Sequence, residues 1–237
     1  MKVEPFPPTV EADPRTGVMN DYWKARVAQH TADSYAGVRL SKFPEDLRVY
    51  EHLLWNDAPD TVIEIGTQAG GSALWLRDRL AALTRYGRIR RAPLVVSVDV
   101  TQELAREEIA RVDSEEPEGI VLLEADVRDA ATAGQVERLL APEARCLVIE
   151  DSAHEYDTTM AALEHFARFV PPEGFFVVED GCVDVDELRL SPDWPRGVLP
   201  ALQDWLRTPA GQGFAVRRDL ELYGVSCHPG GFLQRGP

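Results

Sequence analysis

The chain has 237 residues, of which 44% are hydrophobic and 27% are charged, a composition typical of a globular domain with a sizeable core. Its formal net charge is −15, which argues against non-specific binding to nucleic acid or anionic membranes and is compatible with a divalent metal or a cationic cofactor. The three cysteines are widely spaced and form no CxxC pair, so we expect reduced thiols rather than a disulfide framework or a zinc site.

The first 58 residues divide into two segments by composition. Residues 1–17 are rich in proline and acidic residues, which predicts an irregular stretch. No secretory signal and no membrane-spanning run is visible, so we expect a cytoplasmic protein without a membrane partner. Residues 18–58 are predicted to form a helical segment or lid ahead of a main domain over 59–237, because apolar residues share one helical face at Leu47, Tyr50, Leu53 and Leu54.

Short apolar strands alternate with helix-length segments from residue 61 onwards. Each strand is apolar on both faces, which is typical of a parallel sheet covered by helices on both sides. Five strands are predicted, at 61–66, 94–100, 119–127, 146–151 and 175–180. Helices are predicted over 71–83, 130–140 and 155–169, with a further acidic helix after Thr101.

The pattern changes after the fifth strand. A proline-containing loop leads to a helix near 199–206, and two strands, 214–218 and 222–227, are separated by a polar link short enough for a hairpin. Five βα units followed by an antiparallel hairpin predict an α/β fold with a doubly wound, mostly parallel sheet. This is the outline of a Rossmann-like class I methyltransferase, here with an N-terminal helical extension.

The first predicted strand ends in the sequence EIGTQAGGS, where ligands bind in folds of this type. Glycines at Gly66 and Gly71 would let the backbone approach a ligand, with Ser72 opening the next helix. The spacing departs from the dinucleotide pattern GxGxxG, and Glu64 suits a cationic ligand better than a pyrophosphate. A tight turn without a ligand is the alternative interpretation.

The next two strand ends also carry acids. Asp99 is placed to accept hydrogen bonds from ribose hydroxyls, and Ala125 with Asp126 suits an adenine amino group. Acids at three successive strand ends on one edge of the sheet indicate S-adenosylmethionine, whose sulfonium and ammonium groups are positive. The alternative is three separately solvated acids.

The fourth and fifth predicted strands end in VIEDSAHEYD and VVEDG. Neighbouring strands lie about 4.8 Å apart, so the carboxylates of Asp151, Glu179 and Asp180 are expected to converge on one point. Three crowded carboxylates repel one another unless a cation lies among them, and Mg²⁺ or Mn²⁺ prefers oxygen ligands of this kind. Both Glu179 and Asp180 can bind the metal only if the chain leaves strand geometry near Asp180, which Gly181 would permit.

His154 follows Asp151 by three residues and is the candidate general base. A metal lowers the pKa of a bound hydroxyl, and histidine side chains titrate near neutral pH, so His154 is placed to accept the proton. A purely structural histidine is the alternative. No chemistry is predicted for the other four histidines.

These segments together resemble the cephalosporin hydroxylase family of class I methyltransferases, which also contains metal-dependent O-methyltransferases of macrolide, enediyne and rhamnosyl sugars. The similarity runs from about Tyr35 to the C-terminus and is carried by the segments VIEIGTQAGGSALW, VIEDSAHEYD, FFVVEDG, SCHPGGFLQRG and GVRLSKFPEDLRVYEHL. Where relatives often carry a second acid, this chain has Ala153, which would loosen the surroundings of the metal.

The resemblance implies roles for the residues singled out above. Mg²⁺ would be bound by Asp151, Glu179 and Asp180, with His154 as the base. S-adenosylmethionine would be bound by Glu64, Gly66, Thr67, Gly71, Ser72, Asp99 and Asp126. The implied reaction is O-methylation of a hydroxyl on a sugar, a nucleotide-sugar or a glycosylated natural product, such as an antibiotic, by an enzyme that forms a homo-oligomer.

Several acceptors are compatible with the sequence. Arg189 and Arg196 are placed to meet the diphosphate of a nucleotide-sugar, or are surface arginines of an acidic protein. A phenol, a carboxylate or a cephem nucleus as acceptor, and a non-catalytic S-adenosylmethionine-binding accessory protein, stay open as alternatives. The glycine spacing disfavours an NAD-dependent oxidoreductase.

Overall fold

The structure is a computed structural model that describes residues 16–189, 192–224 and 226–237. Most of the predicted irregular stretch, residues 1–15, lies outside the described residues. Its last two residues are helical, because the first helix, α1, spans Thr16–His30.

The N-terminal extension is two helices separated by a small hairpin, rather than one helical segment. Helix α1 is followed by strands β1 (Ser34–Tyr35) and β2 (Val38–Arg39) and then by helix α2 (Pro44–Asp57). The hairpin turn needs left-handed backbone at Ala36 and Gly37, which glycine adopts without strain. Proline at the first position of α2 cannot continue an earlier helix, so the two helices are separate.

The main sheet has seven strands in the order β5-β4-β3-β6-β7-β9-β8. The strands are β3 (Thr61–Ile65), β4 (Leu94–Asp99), β5 (Ile120–Glu124), β6 (Cys146–Glu150), β7 (Phe175–Val178), β8 (Phe214–Val216) and β9 (Phe232–Arg235). The remaining helices are α3 (Gly71–Arg85), α4 (Glu103–Ala110), α5 (Ala130–Leu139), α6 (Tyr156–Phe166) and α7 (Val198–Trp205). Strands β3 to β7 are parallel and β9 is antiparallel to both neighbours, which confirms the predicted fold class.

The apolar runs of the central strands supply the core on both faces of the sheet. All residues of β3, β6 and β7 are buried. Ile63, Val148 and Phe176 belong to one hydrophobic cluster, while the neighbouring residues Val62 and Leu147 belong to the other. Successive side chains of a strand point to opposite faces, so a strand covered on both sides is apolar throughout.

The predicted second strand of the terminal hairpin, 222–227, is wrong. The strand that pairs with β8 is Phe232–Arg235. Leu222 is buried in the core, and Tyr223 and Gly224 both adopt left-handed backbone, which an extended strand does not allow. Gly231 then lets the chain pass the end of β7, because a Cβ atom there would lie 1.9 Å from the carbonyl oxygen of Val178.

The topology places the functional edge of the sheet. The chain proceeds from β3 outwards to β4 and β5 and then returns to β6 on the other side of β3. Ligands in such sheets bind beyond the carboxyl ends of the strands, at the point where the strand order reverses. Among the described residues, no helix combines the length and the apolarity needed to cross a membrane.

Candidate active site

A cavity of about 800 Å³ opens over the carboxyl ends of the parallel strands. Nine of the twelve predicted site residues line it: Gly66, Thr67, Ser72, Asp99, Ala125, Asp126, Asp151, His154 and Asp180. The other three, Glu64, Gly71 and Glu179, lie behind this lining. The strand ends predicted from the sequence therefore face one common space.

The glycine turn after β3 is shaped by close contacts within the protein. Gly66 has a φ of +102°, and a Cβ atom there would lie 1.8 Å from the carbonyl oxygen of Asp151. A Cβ atom on Gly71 would lie 2.2 Å from the carbonyl oxygen of Arg39 in the N-terminal hairpin. Both glycines thus have a packing requirement, whatever ligand their backbone meets.

Asp99 holds this turn in place. Its Oδ2 atom accepts hydrogen bonds from the backbone N–H groups of Thr67, at 2.8 Å, and Gln68, at 3.2 Å. The side chain of Thr67 is buried, and its Oγ1 lies 2.7 Å from Ser97 Oγ and accepts from Gln102 Nε2 at 2.9 Å. The N–H groups of residues 66–68 all donate within the protein, so at this turn the Asp99 carboxylate is the polar group offered to a ligand.

Asp126, after β5, is paired within its own loop. Arg128 donates to both carboxylate oxygens, with Nη2 at 2.6 Å from Oδ2 and Nε at 3.0 Å from Oδ1. These hydrogen bonds from Arg128 hold the pKa of Asp126 below its usual range. The carboxylate is therefore ionised at neutral pH and remains partly exposed to the cavity.

Glu64 is fully buried next to the carboxyl end of β3. Ser97 Oγ donates to its Oε2 atom at 2.5 Å, while Oε1 has no hydrogen-bond partner among the described residues. Burial raises the pKa of Glu64. The structure therefore places this predicted cofactor ligand beneath the turn rather than on the cavity surface.

The ends of β6 and β7 place Asp151 and Asp180 close together, whereas Glu179 is buried behind them and is not in the group whose ligand atoms all lie within 4.8 Å of one another. The ladder continues beyond both strands, because Asp151 N–H donates to the Ile65 carbonyl and Glu179 N–H to the Glu150 carbonyl, each at 2.8 Å. The chain then leaves strand geometry at Asp180, whose φ of +54° is left-handed. The departure that both ligands require occurs at Asp180 itself rather than through Gly181.

His154 lies beside this cluster, as predicted for the base. Its Nε2 atom is 3.4 Å from Asp180 Oδ2, and ligand atoms of Asp151, His154 and Asp180 all lie within 4.8 Å of one another. His154 also has a left-handed backbone, with φ at +59°. Strained backbone of this kind persists where the surrounding structure fixes it and is concentrated at functional sites.

Lys42 is a member of the cluster that the sequence did not reveal. Its ammonium lies 2.8 Å from Asp151 Oδ2 and 2.7 Å from Glu179 Oε2, and only 4% of its side chain is exposed. Burial disfavours the charged lysine, but attraction to Asp151, Glu179 and Glu64 outweighs it and raises the pKa of Lys42 well above its usual value. KFPED belongs to the segment GVRLSKFPEDLRVYEHL that carries the family resemblance, but the sequence alone gives this lysine no role, and it reads as an ordinary surface lysine before a helix.

Two more remote side chains reach Glu179. The hydroxyl of Tyr50, on α2, donates to Glu179 Oε1 at 2.5 Å. His228 is buried with its Nδ1 accepting from Asp180 N–H at 3.1 Å, which leaves the proton on Nε2, at 3.7 Å from Glu179 Oε2. No chemistry is predicted for His228 from the sequence; its ring holds the main chain of Asp180, while its Nε2 lies near Asp46 and Glu179 without a hydrogen bond among the described residues.

The donor set fits a hard divalent cation such as Mg²⁺. Burial raises the pKa of Asp151 well above its usual value, and the adjacent carboxylates of Glu179 and Asp180 raise it further against the opposing effect of Lys42. A cation with preference for oxygen ligands relieves this repulsion. Both oxygens of Glu179 already accept from Lys42, so a metal would share that carboxylate with the ammonium.

The two arginines considered for a diphosphate have other partners. Arg189 is buried and donates to the main-chain carbonyls of Val183, Pro192, Trp194 and Pro195. Arg196 is exposed and pairs with Asp186. Arg189 thus fastens the loop before α7, and neither arginine lines the cavity.

Comparisons with known proteins agree with the motifs. A family model described as "Rhamnosyl O-methyltransferase/CmcI" matches residues 27–236. The rhamnosyl O-methyltransferases of Mycobacterium tuberculosis H37Rv and Mycobacterium bovis are each 25% identical to this chain over 207 residues, covering 86% of this chain and 79% of theirs.

Solved structures show the same fold. The Mg-SAM form of CmcI has a TM-score of 0.62 at 22% identity and covers 98% of this chain and 90% of its own. An O-methyltransferase from Bacillus cereus, in complex with SAH, has a TM-score of 0.52 at 16% identity and covers 82% of each chain. These comparisons confirm the family that the sequence motifs indicated. They also confirm the predicted enzyme class, a SAM-dependent O-methyltransferase.

Proposed function

The chain belongs to the rhamnosyl O-methyltransferase/CmcI family, and on that premise we propose that it transfers a methyl group from S-adenosylmethionine to a sugar hydroxyl, with Mg²⁺ as a second cofactor. The observation that carries the proposal is the meeting of Asp151, His154 and Asp180 within 4.8 Å on the wall of one cavity. A base beside two metal-binding carboxylates is the arrangement that hydroxyl activation needs.

The opposite part of the cavity suits the methyl donor. Asp99 and Asp126 present carboxylates at the ends of β4 and β5, where ribose hydroxyls and an adenine amino group would find acceptors. Together with the main chain of the Gly66 turn, they form an acidic surface that favours a cationic ligand. The CmcI structure with Mg-SAM and the Bacillus cereus structure with SAH support the same choice of cofactor.

The residues of the chain then have distinct tasks. His154 accepts the proton of the substrate hydroxyl at Nε2, and Asp180, at 3.4 Å, stabilises the imidazolium that results. Asp151, Glu179 and Asp180 would hold Mg²⁺, which lowers the pKa of the hydroxyl it binds. S-adenosylmethionine supplies a methyl group on a cationic sulfur that leaves as a neutral thioether. Much of the acceleration comes from holding the reacting groups in line.

The acceptor would enter the same cavity. Its lining includes Val27 and His30 of α1 and Trp194 with Pro195. An indole face suits the apolar face of a sugar ring, and these residues together would exclude water from the reaction. A rhamnosyl group is the first acceptor to test, because the curated relatives are rhamnosyl O-methyltransferases.

A panel of acceptors tests the proposal. The purified protein, S-adenosylmethionine and Mg²⁺ are incubated with rhamnosides, other glycosylated natural products, nucleotide-sugars, a catechol, a carboxylic acid and a cephem, and methylated products are detected by mass spectrometry. Methylation of a glycoside that stops with a chelator supports the proposal. Methylation of only the catechol, the acid or the cephem contradicts the sugar acceptor. Donor binding without any turnover across the panel contradicts the enzymatic role and favours an accessory protein.

We also propose that the enzyme is a homo-oligomer and that its product belongs to natural-product or antibiotic biosynthesis. Sedimentation velocity tests the first part, and a single monomeric species at micromolar concentration contradicts it. The acceptor panel tests the second.

A further inference from the structure

We propose that Lys42 is a built-in counter-cation of the carboxylate cluster that competes with the metal for Glu179 and thereby sets the metal affinity of the site. The inference rests on the proposed function, because it concerns the same metal. It adds a residue from the N-terminal extension, which lies outside the segment that supplies the predicted ligands.

Both carboxylate oxygens of Glu179 are already held by other side chains. The Lys42 ammonium is 2.8 Å from Glu179 Oε1 and 2.7 Å from Oε2, so it spans both oxygens of the carboxylate. Tyr50 adds a 2.5 Å hydrogen bond to Oε1. A metal that binds Glu179 must therefore take an oxygen that Lys42 or Tyr50 holds in the present arrangement.

Lys42 also contacts Asp151. The Oδ2 atom of Asp151 accepts from Lys42 at 2.8 Å, and no hydrogen bond to Oδ1 is seen among the described residues. Asp151 is also in the group that reaches His154 and Asp180 within 4.8 Å. Lys42 thus links the buried Glu179 to the half of the cluster that faces the cavity, and it lines that cavity itself.

The charge of Lys42 affects how strongly the cluster binds a metal. Once all three ligand carboxylates are ionised, they and the one ammonium leave two negative charges on these four side chains, which a divalent cation neutralises. A dication a few ångströms from the ammonium is repelled by it, and at that separation the repulsion is strong inside a protein. Loss of the ammonium should therefore tighten metal binding, while the metal-free protein loses the charge that compensates its buried carboxylates.

Calorimetric titration of Mg²⁺ at pH 8, with the protein saturated with S-adenosylhomocysteine, measures the affinity. We expect Lys42→Met to bind Mg²⁺ about tenfold or more tightly than the natural chain, from the removal of one nearby positive charge. Lys42→Arg keeps the charge and should stay close to the natural affinity. Lys24→Met, which removes an exposed lysine of α1, is the matched control and should change nothing.

Thermal unfolding gives a readout that needs no turnover. Without Mg²⁺, Lys42→Met should melt well below the natural chain, and saturating Mg²⁺ should raise its melting temperature by more than it raises that of the natural chain. If Lys42→Met does not fold without metal, Lys42→Gln, which keeps a polar group, is measured in the same way. Folding of either variant only with Mg²⁺ also supports the proposal.

The outcomes separate this inference from the proposed function. Saturable binding by the natural chain with equal or weaker binding by Lys42→Met overturns the role of Lys42 and leaves metal dependence intact. No binding by the natural chain overturns metal dependence, and tight binding by Lys42→Met in that case still supports the competition. Failure of both neutral variants to fold with or without Mg²⁺ overturns the inference, because a metal then does not replace the ammonium.

Discussion

The two ends of the cavity are built in different ways. At the donor end, the carboxylates of Asp99 and Asp126 are held by groups within their own loops or an adjacent turn and stay near the surface. At the metal end, Glu179 is buried, its hydrogen-bond partners Lys42 and Tyr50 come from segments far away in the chain, and His228 packs nearby.

The two ends therefore differ in how they are stabilised when no ligand is bound. A donor site with locally satisfied acids keeps its shape without a ligand. A metal site with three crowded carboxylates is held by long-range charges, and its electrostatic balance changes when one of them is removed. Mutations at the metal end should therefore remove chemistry, and mutations at the donor end should weaken binding.

The largest expected effect is a loss of turnover when the proposed base, His154, is replaced. His154→Gln should lower kcat by about 10²–10⁴-fold, because the hydroxyl proton loses its acceptor. Donor affinity, measured by S-adenosylhomocysteine titration, should be unchanged. His165→Gln, on α6 and away from the cavity lining, is the control for replacing a histidine. Full activity of His154→Gln at neutral pH would rule out this base.

The next largest expected effect is a loss of Mg²⁺ affinity when Asp180 is replaced. Asp180→Asn removes a charge from the cluster and should weaken Mg²⁺ binding by more than the roughly 10–100-fold that loss of an outer hydrogen-bond partner causes. Calorimetry with Mg²⁺ measures this. Asp186→Asn, an exposed acid paired with Arg196, should bind Mg²⁺ as the natural chain does. Equal affinities for the two variants would contradict the placement of the metal.

The contact between the two ends is tested by Gly66. Gly66→Ala should lower the free energy of unfolding by clearly more than the roughly 1–2 kcal/mol of a left-handed alanine, because its Cβ would also meet the Asp151 carbonyl at 1.8 Å. Gly87→Ala has a similar left-handed backbone, at φ +72°, with nothing within 4 Å, and should show only the smaller loss. Denaturant unfolding that finds equal losses would show that the two strand ends are not in contact.

The smallest effect is expected at the donor end. Asp126→Asn should weaken S-adenosylhomocysteine binding by about tenfold, the lower end of the worth of one hydrogen bond to a charged group because this carboxylate is partly exposed, and leave Mg²⁺ affinity unchanged. Asp129→Asn is the control, because asparagine caps α5 as well as aspartate does. A loss of metal affinity in Asp126→Asn would show that the two ends are not independent.

The sequence was sufficient where the chemistry is local. Strands β3 to β7, the acids at their ends and His154 beside Asp151 follow from apolar runs and from residues adjacent to them. It was insufficient where a side chain acts at a distance. Lys42, Tyr50 and His228 lie in segments that carry the family resemblance, but nothing in those segments assigns them a role, and only the fold brings them near Glu179.

The predicted second strand of the terminal hairpin, 222–227, is wrong for a related reason. Residues 222–227 are apolar enough for a strand, but the left-handed backbone at Tyr223 and Gly224 turns the chain before it can pair. The pairing strand begins only at Phe232. The intervening residues carry Cys227 and His228 into the site, so the segment serves the active site rather than the sheet.

The most direct test of the central claim is a crystal structure with Mn²⁺ and S-adenosylhomocysteine, with the anomalous signal of manganese used to locate the ion. A single strong peak coordinated by Asp151 and Asp180, beside His154 and within reach of Glu179, is the result expected. A peak elsewhere in the cavity, or none there at saturating Mn²⁺, would contradict a metal at the ends of β6 and β7.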